Sequence, residues 1–273
     1  MTDIFLREYN VQSLKQLDSE LIDKRIDCLN CFKGRLGDDS PSPPPPESHP
    51  LEPINAPDPP PGGNDGPPAD GNFDQYVLGL WKSVEKPGDN YVDIGSPKFW
   101  TPTMTKNEIY STGECYGCTV VVAASGKGIY MAHYAEDTGS VMTFDGTKSF
   151  QTDVKDPFDN AIDQYRDSFA GQRSNLVIFS PTVGSSPNFP LMYPRVNQLA
   201  TDFEHAFRDA NVQNKGYGMK SPANNLYGAT ASGLIVVEWI APKTEGDLAE
   251  LNIYAESNRV VHVNYNAQGV LQR

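Results

Sequence analysis

The stretch Thr119–Ala135, "TVVVAASGKGIYMAHYA", decides how the rest of the chain is read. Two runs rich in β-branched and aromatic residues flank Gly126-Lys127, so the segment reads as a hairpin joined by those two residues or by a slightly longer turn. With Ser125 opposite Gly128, the position opposite Cys118 is Ala135. His133 stands two residues from Ala135 and shares its face, because side chains alternate along a strand. Diagonal neighbours on one face lie close enough for a ring to reach a thiol. The hairpin therefore predicts a Cys118–His133 pair at a strand entrance, with Gly117 allowing a tight approach that leaves backbone N–H groups free.

Working outward, the composition divides the chain into three parts. Residues 73–273 are the size of one ordinary domain and can bury a core. Residues 40–72 are Pro, Gly, Asp, Ser and Asn with little that is apolar, including the runs Pro43–Pro46 and Pro59–Pro61. Such a segment cannot offset its chain entropy and reads as a disordered, extended linker. Residues 1–39 hold an amphipathic helix expected over Asn10–Lys33, with Leu14, Leu17, Leu21, Cys28 and Phe32 near helical spacing. Ser13 with Gln16 suits a capping box at its start, and Gly34 and Gly37 suit its exit.

Within residues 73–273, "YVLGLWKSV" (Tyr76–Val84) is apolar without a decisive period. Asp156-Pro157 reads as a cap and first helical residue, followed by Phe158, Ala161, Ile162, Tyr165 and Phe169 up to Gly171. Pro194 opens a second helix carrying Val196, Leu199, Phe203 and Phe207. Strands are expected at Asn175–Ser180 and Gly233–Ile240, and "LNIYA" with "RVVHVNYN" forms a closing hairpin about Glu256-Ser257-Asn258. The expected class is α/β: a mixed, largely antiparallel β-sandwich with flanking helices, preceded by the isolated helix and the linker.

A net charge of −13 with no basic cluster argues against nucleic acid or an anionic membrane surface as partner. No apolar stretch approaches membrane-spanning length, and Met1 is not followed by a secretory signal pattern. The expected location is the cytoplasm, or a target-cell cytoplasm if the chain is delivered as an effector.

Three chemistries compete for the cysteines. Cys28-x-x-Cys31 and Cys115-x-x-Cys118 match the grouping of a four-cysteine zinc site, but the first pair lies on the predicted helix and a long linker separates the two. Cys115-Tyr116-Gly117-Cys118 has redox spacing, yet that chemistry wants the first Cys at a helix N-terminus, and the β-branched run from Thr119 follows instead. The third reading is a nucleophile, Cys118, with His133 as its base. Cys115 has no assigned task in it. His49 falls in the linker and His205 off the apolar face of its helix, leaving His262 as the one rival base. Without further signal, a buried Cys and a satisfied strand His explain both residues as well.

"GCTVVVAASGKGIYMAH" (Gly117–His133) resembles the active-site segment of the cytotoxic necrotizing factor family of glutamine deamidases. Those toxins place a Ser-Gly-Cys-like motif before a strand and a His on the next one. Gly117-Cys118-Thr119 and His133 match; Tyr116 stands where the family commonly has Ser. The resemblance implies a Cys118–His133 dyad, no metal or organic cofactor, and a protein substrate whose glutamine becomes glutamate, or is transglutaminated if an amine replaces water. It implies an α/β sandwich and a His oriented by a main-chain carbonyl upstream of the Cys. It also implies a Rho-type small GTPase as substrate, where loss of the water-positioning glutamine would leave the switch on. A cysteine protease or esterase would use the same pair, and a non-catalytic interaction protein would use the helix and proline-rich arm.

Overall fold

The computed structural model describes residues 68, 73–113, 115, 117–135, 150–171, 173–182, 193–218 and 229–272. All belong to one unit, Pro57–Gly218 with Leu226–Arg273; the other unit, Met1–Ala56 with Met219–Asn225, lies outside the described residues. So do the helix expected at 10–33, the segment 40–67, and Cys28, Cys31 and His49.

The described chain is α/β, with two five-stranded sheets. The first sheet contains β1 (Lys98–Trp100), β3 (Thr119–Ala124), β4 (Ile129–Tyr134), β5 (Asn175–Thr182) and β6 (Asn211–Gly218), in the order β1-β4-β3-β5-β6. Its pairings are antiparallel except for parallel β5 and β6. The second contains β2 (Glu108–Thr112), β7 (Ile235–Ile240), β8 (Ala249–Ala255), β9 (Asn258–Tyr265) and β10 (Leu271–Gln272). Its order is β10-β9-β8-β7-β2, antiparallel throughout.

The apolar run of β3 has a simple cause: both of its faces are covered. Val120 and Val122, with Ile129, Met131, Val177 and Phe179, share one core with Val237, Trp239, Leu251 and Ile253 of the second sheet. Val121, Ala123 and Ala132 face a second core with helical Phe158, Ile162, Phe169, Val196, Leu199 and Phe203. Those helical residues come from α2 (Asp156–Gln164), α3 (Arg166–Phe169) and α4 (Tyr193–Ala206). The outer face of the second sheet carries α1 (Asp74–Ser83), whose Val77, Leu78 and Trp81 pack with Leu234, Val236 and Tyr254. "YVLGLWKSV" is thus mostly helix, its buried residues spaced by three and four.

The hairpin has the register read from its turn. Val120 lies opposite His133, Val122 opposite Met131 and Ala124 opposite Ile129, and the Ser125 N–H donates to the Gly128 carbonyl at 2.9 Å. Asp156 is not a cap. Lys155 before it is already helical (φ −68°, ψ −52°), and a π-helical segment, Phe150–Lys155, runs directly into α2. Pro157 has no N–H to give and its ring crowds the preceding turn, which the wider π turn accommodates. The helix then breaks at Tyr165 (φ −108°) instead of running unbroken to Gly171. β6 was not legible, being a polar edge strand, "NVQNKGYG", that reads as loop.

This topology fixes where a site can form. β3 begins, and β4, β5 and β6 end, at one edge of the first sheet. The connector 113–118 reaches that edge from Thr112, the last residue of β2 in the other sheet. A Cβ on Gly113 would stand 2.7 Å from Trp81 Nε1 and 2.8 Å from Leu234 Cδ2, so a side chain there would have to displace those two buried groups.

Candidate functional site

His133 is on β4 opposite Val120, so its ring joins the face that carries Val120, Met131 and the core between the sheets. It is 1% exposed. From the second sheet, Thr112 brings its hydroxyl to 2.7 Å from His133 Nδ1. The same hydroxyl lies 2.8 Å from the carbonyl oxygen of Val92. A carbonyl only accepts, so the single Thr112 proton goes to Val92. His133 must then donate its Nδ1–H to Thr112, which leaves Nε2 as the bare nitrogen. Val92 is held in turn, its N–H donating to the Ser111 carbonyl at 2.9 Å. The main chain of His133 is fixed as well, since its carbonyl accepts the Gly95 N–H at 2.8 Å.

The bare nitrogen meets a thiol. Cys115 Sγ stands 3.8 Å from His133 Nε2. Cys115 and Cys118 are both buried. The Cys115 N–H donates to the Gly233 carbonyl at 3.2 Å, and the Cys118 carbonyl accepts the Tyr217 hydroxyl of β6 at 2.6 Å. Tyr217 stacks on Phe179 of β5, ring centres 4.4 Å apart, so the second half of the connector is tied to the first sheet. The first half is tied to the second sheet through Gly233.

Of the residues singled out by sequence, His133 is the imidazole at the strand edge, and Cys118 sits just ahead of β3 as expected. The thiol seated on the ring is Cys115, which has no task in the reading from spacing and register. Thr112 and Val92 were not foreseen either. Both reach His133 from outside the hairpin, and no spacing within one strand pair announces them. His262 is exposed on β9 and its Nδ1 lies 2.8 Å from Asn252 Oδ1, so it has its own partner elsewhere. His205 is exposed on α4.

Burial lowers the His133 pKa from 6.5 to about 3, so the ring is neutral at neutral pH. The base at rest is thus a neutral imidazole with Nε2 turned to the Cys115 sulfur. Once a thiolate forms at this separation it attracts an imidazolium by about 4 kcal/mol at an effective dielectric of ~20, roughly three pKa units. That attraction offsets part of the cost of charging two buried groups, and the separation allows a proton to pass between sulfur and Nε2.

Among the described residues no cluster of three or more His, Cys, Asp or Glu is arranged to hold a metal ion. No helix among them is long and apolar enough to cross a membrane. No protein-family model and no curated protein matches the chain.

Proposed function

We propose that this chain is a thiol-dependent amidohydrolase that deamidates a glutamine of a substrate protein, with His133 as its base. The observation that carries the proposal is the hydrogen-bonded series from the Val92 carbonyl through Thr112 and His133 to the Cys115 thiol. It supplies a nucleophile, a base with its accepting nitrogen turned to it, and an orienting group behind the base. The family resemblance expects a main-chain carbonyl upstream of the Cys to orient the His. Val92 offers one, acting through the Thr112 hydroxyl. Packing of both sheets on a shared core supports the sandwich that the resemblance implies.

In the proposed reaction the thiol gives its proton to His133 Nε2 while sulfur attacks the carboxamide carbon. The tetrahedral intermediate expels ammonia, which takes its departing proton from His133. Water, deprotonated by the same nitrogen, then hydrolyses the thioester to glutamate and restores the thiol. Contact geometry favours Cys115 as the nucleophile. A second assignment, Cys118, is favoured by the Gly117-Cys118-Thr119 motif and by the hairpin register, and it uses the same base. No cofactor is required. A Rho-type GTPase is the substrate proposed by resemblance, since glutamate at its water-positioning residue would block GTP hydrolysis.

The test is intact-mass analysis of candidate small GTPases incubated with wild type, Cys115→Ser, Cys118→Ser and His133→Ala. Deamidation adds about one dalton and leaves the chain whole, because it replaces an amide by an acid. Loss of the mass change in His133→Ala and in one cysteine variant supports the proposal and names the nucleophile. Cleaved substrate would indicate a protease. Activity retained in a folded His133→Ala variant would sink the dyad.

A further inference from the structure

We propose that Glu256, on the turn between β8 and β9, is a positioning residue for the Cys115 thiol. Its relevance to turnover rests on the thiol–imidazole reading above. Cys115 is held in the described structure by its N–H bond to the Gly233 carbonyl at 3.2 Å. Gly233 is in a left-handed conformation (φ +71°), and a Cβ there would stand 3.0 Å from the Cys115 carbonyl oxygen and 3.3 Å from its nitrogen. The turn 231–234 is thus pressed directly against the backbone that carries the thiol. Whatever fixes this turn fixes Cys115.

Glu256 is that fixture. Its Oε1 accepts the Gly233 N–H at 2.9 Å and the Ser232 hydroxyl at 3.3 Å. Its own N–H donates to the Leu234 carbonyl at 2.8 Å. From the other side Asp74 of α1 accepts the Ala231 N–H at 2.9 Å. Glu256 is one of two non-glycine residues with positive φ among the described residues, at +54°. That region is filled at least cost by Gly or Asn. A glutamate there is disfavoured by the backbone, so its carboxylate is what the position gains. A carboxylate accepting a backbone N–H also makes a stronger bond than a neutral acceptor.

Glu256→Gly separates the two roles. It suits the backbone and removes the carboxylate, so the variant folds while the turn under Cys115 loses its clamp. In ¹⁵N-labelled full-length protein, the His133 Nε2 resonance reports the thiol contact, and Cys115→Ala marks its position without a thiol. Glu256→Gly should move Nε2 toward the Cys115→Ala position. Glu256→Gln, whose amide oxygen still accepts from Gly233, should restore the wild-type position. In a deamidation assay, Glu256→Gly should lower kcat by roughly tenfold to a hundredfold with little change in KM, as misplacement of a reacting group does. A wild-type Nε2 resonance in Glu256→Gly overturns the proposal. A shifted resonance in a protein whose wild type deamidates nothing upholds the positioning role and refutes the function proposed above.

Discussion

At the scale of single residues, the site depends on one hydroxyl proton. Thr112 can donate once, and the Val92 carbonyl takes that donation, so the tautomer of His133 follows from a backbone oxygen that never touches the ring. Thr112→Val keeps the shape and removes the oxygen. It leaves the Val92 carbonyl and the Nδ1–H unpartnered in a buried place, each worth about 1–3 kcal/mol when orphaned. The expected result is a melting transition lowered accordingly, with kcat reduced roughly tenfold to a hundredfold as the ring loses its orientation. Thr112→Ser should keep most of both. Equal kcat in Thr112→Val and wild type would remove Thr112 from the proposed catalytic arrangement. This residue also marks how far a sequence can be read. His133 was legible because strand alternation puts it on the face toward the connector. Thr112 was not, because it arrives from the other sheet, and contact between sheets leaves no period in the chain. The choice between Cys115 and Cys118 was illegible for a related reason: their connector crosses between sheets, and only its anchors at Gly233 and Tyr217 decide which thiol lies under the ring.

At the scale of elements, the hairpin of β3 and β4 was legible because two constraints agree. A two-residue turn fixes the register, and a one-residue slip would turn Val120, Val122, Ile129 and Met131 away from the core between the sheets. The helical layer was read correctly in kind and wrongly at its start, since local cap chemistry at Asp156-Pro157 is overridden by the π turn before it. β6 escaped notice because a polar edge strand carries no alternation. The turn of the hairpin is itself a structural contact. Gly126 and Gly269 meet backbone to backbone: a Cβ on Gly126 would fall on the Gly269 carbonyl oxygen, and one on Gly269, at φ +73°, on the Gly126 carbonyl. Neither atom belongs to a flexible side chain, so neither can yield cheaply. Gly126→Ala should therefore destabilise the domain by about 1–3 kcal/mol, the range of overpacking. It should leave kcat per folded molecule unchanged, because this turn joins the ends of the strands opposite to the edge that holds His133. Denaturant titration alongside an activity assay checks both halves.

At the scale of the whole molecule, two buried ionisable groups give the stability opposite pH dependences. His133 titrates at 6.5 unfolded and at about 3 folded, because burial disfavours its charged form. Between those pH values the unfolded chain binds the proton and the folded chain does not, so stability falls as pH falls. The full window corresponds to about 5 kcal/mol of lost stability at 1.36 kcal/mol per unit. Glu238, on the outer face of the second sheet, works the other way. Burial raises its pKa above 4.5, outweighing hydrogen bonds from Tyr76, Tyr254 and Asn252, and the nearby Glu250 charge raises it further. The folded chain therefore holds the Glu238 proton to higher pH than the unfolded chain does, and stability gained on acidification offsets part of the His133 loss. Urea midpoints measured from pH 7 down to pH 4 separate the two. His133→Gln, which never titrates, should show a flatter acid limb than wild type, or one that rises. Glu238→Gln should show a steeper one, because the opposing gain is gone while the His133 loss remains. An acid limb in His133→Gln as steep as that of wild type would mean that the ring is reached by water and charges freely in the folded state. The bare nitrogen beside Cys115 would then not exist at mildly acidic pH, and a proton already on Nε2 would leave the thiol without its base.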